Sequence, residues 1–552
     1  MGLATSGFNR RFPGGQPGSA ILEPMRNPLP RRLATLAVAL LLALPAAAQE
    51  SSRLPDIGSS AAGVLSPAQQ REYGAMTLSQ LRNYGYTLED PLLQSWLQGF
   101  ARRLGPASDD PKQAYTLFML RDRQINAFAT LGGYIGVNAG LVLAATREDE
   151  VAAVLSHEIA HVTQKHVLRG VEQAQRDRIP ILLAMLGAIA VAQNSGGNST
   201  GNATIAAVVS AQGLMAQRQI DYTRGNEAEA DRIGIRTLSR AGYDPGAMAA
   251  FFERLQSVVR ENEGRESAPD YLQTHPVTTT RISEARDRAR QIAATQPRYA
   301  PATGASADNL LLPSSLRIGS LAGTGPESAF PWAKERLRVL SANTPAMAVR
   351  EYDQMSRTGK LDDAQRYGLA LARLLDGRAA EASSDLRALL AAHPGETWLE
   401  LALGQADARA GHAAAADARF DALLARMPRS REVALTYAGV LNERNTRDAG
   451  KRAQDMLRPL LSSAADDPVF QQAFARASEV AGDPVRAGEA YAEAAYLNGR
   501  PEQALVQLDT LRKRDDVDYY ARARIDARIA AITPVVLELR REGIRDEDLG
   551  RQ

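Results

Sequence analysis

The stretch VLSHEIAHVTQKH at residues 154–166 sets His157 and His161 four positions apart, with Glu158 directly after the first. On a helix that spacing leaves the two imidazoles about 40° apart on one face, so both nitrogens can reach one tetrahedral zinc ion. Glu158 can then hold an attacking water and serve as its general base. The same three residues also arise by chance as a polar helix face with a satisfied histidine, so a third ligand must decide.

One zinc pattern continues with a glycine at residue 164 and a histidine at residue 167, but these positions hold Gln164 and Val167, which excludes it. His166 lies about 140° around the helix from His161, which suits a supporting role better than ligation. Downstream, YTRGNEAEADRIGIRTLSRAGYDP places Glu227 and Asp231 four apart on a predicted helix. Glu227 is the third metal ligand in this reading, and Asp231 orients a ligating histidine through its other nitrogen. Glu229 points about 160° away from Glu227 and reads as a surface residue. HExxH together with ExxAD predicts a metallopeptidase with one zinc ion per chain.

His275, in YLQTHPVTTTR, precedes Pro276, which biases it towards extended backbone. Two histidines and one glutamate leave a fourth zinc position, and a neutral imidazole there would displace the nucleophile and hold the enzyme latent. Alternatively His275 donates to the oxyanion, with Arg281 as a second transition-state candidate. A third reading has it only fastening the loop backbone. The removable ligand is the favoured reading.

These residues need rigid elements behind them. Thr146 followed by REDE predicts a helix start with Asp149 at its third position, and Val151, Val154, Leu155 and Val162 mark the apolar face of that helix. Ahead of it, INAFATLGGYIGVNAGLV at 125–142 reads as strands around a Gly132-Gly133 bend. Between the two motif helices lie two apolar runs around a Gly/Asn/Ser turn. They read as a buried helical hairpin or as a lid touching a membrane surface, since neither comfortably spans a bilayer.

Sixty-five basic against 63 acidic residues leave a net charge of +2, so no global field recruits nucleic acid. The absence of cysteine excludes thiolate sites and leaves His, Asp and Glu as ligands. Arg31-Arg32, the apolar stretch Leu33 to Leu44 and Ala46-Ala47-Ala48 predict a signal peptide over 1–48, with Met25 a candidate true start. A membrane anchor is the alternative, but the stretch falls short of the roughly 20 residues that span a bilayer. Export without cysteine suits the periplasm of a Gram-negative bacterium.

The expected organisation is an α+β metallopeptidase domain over 66–296, mostly helical with a small edge sheet. A Pro/Gly/Ser-rich linker follows over 297–331, then an all-α tetratricopeptide-repeat solenoid over 332–540. Gly377 and Gly411, like Pro394 and Pro428, are 34 residues apart, the tetratricopeptide period. The stretch REVALTYAGVLNERN reads as a degenerate unit. Such a stack offers a concave surface to a protein partner.

The motif residues His157, Glu158, His161, Glu227 and Asp231 resemble those of the gluzincin-type peptidases that include the CAAX prenyl proteases. The segments 125–142 and THP at 274–276 resemble that family's strand before the active helix and its later histidine loop. With a signal peptide and C-terminal repeats, the resemblance narrows to the periplasmic β-barrel assembly-enhancing protease type. It implies an exposed substrate edge at Asn126, Ala127, Tyr134, Ile135, Gly136 and Val137, where an ordinary core hairpin is the alternative. It further implies unfolded or misassembled β-barrel clients, contact with the outer-membrane assembly machinery, and quality control with accompanying chaperone activity. A rival from another class is a noncatalytic chaperone or assembly scaffold with a structural zinc, which would have no need of Glu158.

Overall fold

A computed structural model describes residues 65–170, 172, 223–261, 271–272, 275–295 and 329–541. The expected signal peptide, most of the expected linker and the apolar hairpin between the motif helices lie outside the described residues. Among those described, no helix is long and apolar enough to cross a membrane.

The chain opens with α1 (Pro67–Asn83), started by a reciprocal Ser66–Gln69 capping box, and α2 (Pro91–Leu104), capped by the Asp90 carboxylate on Leu93 N. Three short strands follow, β1 (Thr116–Leu120), β2 (Ala127–Ala129) and β3 (Tyr134–Asn138), in the order β1-β3-β2. β3 runs parallel to β1 and antiparallel to β2. The middle strand is therefore β3, which corrects the expectation of a substrate edge at Tyr134, Ile135, Gly136 and Val137: neighbours on both sides occupy its backbone ladder.

The outer side of β1 is also closed. Gln94 and Gln98 of α2 donate their amides to Leu117 O and Tyr115 O, each at 2.8 Å, and Gln98 Oε1 accepts from Leu117 N. β1 and β2 are the two outer strands, and among the described residues no strand lies beside the outer side of β2.

After α3 (Ala139–Ala144) comes α4 (Glu148–Thr163), buried along residues 150–160. Its cap differs from expectation: Arg147 is the N-cap, and Glu150 reaches back to accept from Thr146 N at 2.7 Å and Thr146 Oγ1 at 3.0 Å. A helix over 223–240, α5, and then α6 (Ala247–Glu261) and α7 (Thr279–Thr295) complete this part.

From Phe330 to Arg541 the described chain is helical. α8 (Phe330–Leu340) and α9 (Pro345–Thr358) lead into α10 (Asp363–Leu375) and α11 (Ala379–Ala392), α12 (Thr397–Arg409) and α13 (Ala413–Arg426), and α14 (Arg431–Arg444) and α15 (Arg447–Leu457). The turns within these last three pairs are made by Gly377, Gly411 and Asn445, at φ +85°, +90° and +52°. A residue in the left-handed region ends each first helix. Asn tolerates it nearly as glycine does, so the third pair folds like its neighbours although its glycine is gone. Two further pairs follow, α16 (Pro468–Ala481) with α17 (Pro484–Leu497) and α18 (Pro501–Arg512) with α19 (Tyr519–Arg541).

The helical region shares one apolar core with the sheet-bearing part, in which Trp96 meets Phe330 at 6.4 Å between ring centroids. Beside it the buried Arg336 guanidinium clasps the Asp90 carboxylate at 2.8 and 2.6 Å and donates to Tyr367 Oη. Removing one member of such a pair leaves an uncompensated buried charge. Arg336→Ala is expected to destabilise the seam by about 3–5 kcal/mol, read as a lower urea midpoint in the fluorescence of Trp96 and Trp332. An unchanged midpoint would show that the pair contributes nothing to the seam.

Candidate metal centre

His157, Glu158 and His161 leave the buried face of α4, and Glu227 and Asp231 project from α5 against them. The two helices come close at Gly234: a Cβ there would lie 3.1 Å from His157 N and Cα and 3.2 Å from Met248 Cε. The absence of that side chain lets the acids of α5 reach the histidines of α4.

His157, His161, Glu227 and His275 each offer one ligand atom, and these atoms lie within 4.8 Å of one another. His157 Nε2 and His161 Nε2 are 3.0 Å apart, and His275 Nδ1 lies 2.9 Å from Glu227 Oε1 and 3.4 Å from His157 Nε2. Three imidazoles and a carboxylate suit zinc in kind and in number. His157, Glu227 and His275 are buried and His161 is nearly so. Burial alone would hold the His157 imidazole low, yet Glu227 and Asp231 together push it up to about 10. Burial drives His161 the other way, down to about 3, so it stays neutral with a lone pair to give. The field of the two acids favours a cation among the imidazoles, and the group fits a divalent metal.

Asp231 Oδ1 lies 2.9 Å from His157 Nδ1, the nitrogen facing away from the group. Arg281 grips Asp231 at 2.7 and 2.8 Å, reaches Glu227 Oε2 at 2.9 Å and donates to Pro276 O at 2.8 Å. Its plane also lies over the Phe252 ring. This corrects the expectation of a transition-state role for Arg281: its donors are taken up behind the site, where they balance the two acids. Asp231 likewise has its oxygens engaged, by His157 Nδ1 and Arg281.

Glu158 is 1% exposed, its Oε1 has no hydrogen-bond partner, and His275 Nε2 lies 3.7 Å from it. Burial raises its proton affinity above the usual carboxylate range, against the pull of His275 and His157 and a hydrogen bond from the Ala129 backbone.

The β2 edge runs beside this group. Asn126 O accepts from Asn138 N and Thr130 N donates to Tyr134 O, so by alternation Ala127 and Ala129 turn their backbone groups outward. Asn126 Oδ1 is buried and has no partner. His275 is tied to the start of this edge through Tyr271, because Tyr271 N donates to Ile125 O at 3.2 Å and His275 N donates to Tyr271 O at 2.7 Å.

The structure places Glu229 differently from the sequence reading. It is partly buried and bonded to His166, and nothing in a single helical projection of α5 would have shown that. A change at Gly234 tests the helix approach without touching a ligand: Gly234→Val is expected to lower zinc affinity by about tenfold or more while the protein stays folded. Retained affinity in a chelator competition would show that the approach is not required.

The model of Peptidase family M48 matches residues 91–289, which hold all the residues of this centre. A relative in Vibrio cholerae is 39% identical over 292 residues, 52% of this chain and 57% of its own length. The beta-barrel assembly-enhancing protease of Escherichia coli strain K12 is 30% identical over 508 residues, covering 90% of this chain and 95% of that protein. The metalloprotease LoiP of the same strain is 30% identical over 194 residues, 35% of this chain and 69% of its own. A likeness at that level across almost the whole of a relative, on top of a buried three-histidine, one-glutamate group, means that the chain belongs to Peptidase family M48 and is a zinc metalloprotease.

Proposed function

We propose that the protein is an exported endopeptidase that cuts unfolded or misassembled outer-membrane β-barrel proteins. His157, His161 and Glu227 hold the zinc, and His275 is its removable fourth ligand. The observation that carries this reading is Glu158 Oε1, a buried carboxylate oxygen without a partner beside the ligand group. Zinc, when bound, polarises a scissile carbonyl and acidifies water. Glu158 takes the proton of the attacking water on Oε1 and returns it to the leaving amine. The outward backbone groups of Ala127 and the Asn126 amide oxygen hold the peptide extended along β2. Asp231 fixes the His157 ring from behind.

The position of His275 fits a closed resting state. Its Nδ1 sits close to the other three donors, which would make four ligands for a zinc ion, and Tyr271 ties its segment to Ile125 at the head of the substrate edge. One withdrawal of that loop frees both the fourth position and the edge.

The proposed domains are the peptidase over 66–296, a linker over 297–331 and a tetratricopeptide-repeat region over 332–540. The helix starts at residues 363, 397 and 431, and again at 379, 413 and 447, support the repeats because each series advances by 34. The repeats supply a surface for clients and for the β-barrel assembly machinery. The signal at 1–48 supports a periplasmic location.

Incubation of the mature protein with unfolded outer-membrane proteins should give discrete fragments that vanish with chelator and in Glu158→Gln. Fragments that persist in both would reject the mechanism. His275→Ala should raise basal proteolysis several-fold with zinc still bound. A lower rate would make His275 a transition-state donor, and an unchanged rate and zinc affinity would remove it from the site.

A further inference from the structure

We propose that His166 and Glu229 are positioning residues, forming a hydrogen-bond chain that fixes the tautomer and ring orientation of His161. This rests on the reading of His161 as a zinc ligand. The Nε2 atom of His161 faces Glu227 Oε1 at 3.3 Å, inside the ligand group. If Nε2 gives its lone pair to the metal, Nδ1 carries the proton and must donate it. The atom it meets is His166 Nδ1, 2.8 Å away.

That contact dictates the next proton. Two N–H groups cannot face each other at this distance, so His166 keeps Nδ1 bare and holds its proton on Nε2. Nε2 lies 3.1 Å from Glu229 Oε2, an acceptor. Arg169 touches the same oxygen at 3.1 Å and holds the carboxylate in place. One arrangement of protons therefore satisfies the whole chain from Glu229 to the metal-facing nitrogen.

The backbone is bent to build it. On a continuous helix His166 would lie about 140° from His161 and could not reach it. α4 instead ends at Thr163, and Lys165 takes φ +55°, a conformation that is unfavourable for a residue with a Cβ. The turn brings the rings of His161 and His166 to 4.7 Å between centroids at 78° to one another. Strain held in a non-glycine residue next to His166 points to a contact geometry held in place and not to a loose helix end.

Each ligand histidine of α4 then has a partner on its outer nitrogen, Asp231 for His157 and the His166–Glu229 pair for His161. All three acids of NEAEAD serve the centre.

Zinc affinity, measured by competition with a chromophoric chelator, tests this together with the visible absorption of the cobalt-substituted protein. His166→Ala should weaken zinc by about 10–100-fold and alter the cobalt bands, and Glu229→Ala should weaken it by about tenfold. His166→Asn, whose amide oxygen can replace Nδ1 as acceptor, should recover most of the loss. Affinity within about twofold of the parent in both alanine variants, with unchanged cobalt bands, overturns the proposal. Should His166→Ala fail to fold, Glu229→Ala at a partly exposed side chain decides alone. His161→Ala separates the two readings: if it binds zinc like the parent, the ligand assignment fails and not the chain behind it.

Discussion

Two carboxylates, Glu227 and Asp231, are buried to within 3% and 6% of full enclosure a single helical turn apart. Ionised acids so placed are tolerable only if positive charge and hydrogen-bond donors surround them. Much of the peptidase part follows from that requirement. Arg281 answers both acids from α7, three imidazoles answer Glu227 from α4 and the His275 loop, and the remaining demand for charge suits a divalent cation. The metal centre is the point at which three separate chain segments become mutually dependent, so the folding of this region and the binding of its metal are linked.

The grouping of His157, His161, Glu227 and Asp231 was legible from spacing, because a four-residue interval on a helix fixes which side chains share a face whatever surrounds them. What spacing could not show were contacts made where a helix stops. The path of the chain after Thr163 depends on Lys165 adopting a left-handed conformation, and no residue type signals that. Hence Glu229 read as surface, although it closes on His166. Arg281 read as a donor to substrate for a related reason. Its charge was visible, but the acids that absorb it are distant in sequence.

The sheet shows a different limit. Tyr134 to Val137 have the alternation of a strand with one open side, yet strand order is a long-range property that alternation does not encode. The short segment before the bend became the edge, and the regular one after it became the centre. In the helical region the opposite held. The repeat spacing was clear where Gly377 and Gly411 mark the turns and faded where Asn445 replaces glycine, although the backbone there is left-handed as well. A pattern in residue types weakens at a substitution that the conformational requirement accepts.

One helix ties these parts together. α2 receives the Arg336 clasp at its cap, covers the core with Trp96 and closes the outer side of β1 with Gln94 and Gln98. By occupying that edge it leaves β2 as the side of the sheet without a strand or helix side chain closing its ladder in the same way, among the described residues. Among the described residues the C-terminal helices contribute no group to the metal centre, but through α8 and Asp90 they hold the helix that closes the β1 side of the sheet. A load placed on the helical region by a bound client would therefore act on α2 before it acted on α4. The β2 edge, and not the group of histidines and acids, is therefore the part of this region that the helical region reaches through α2.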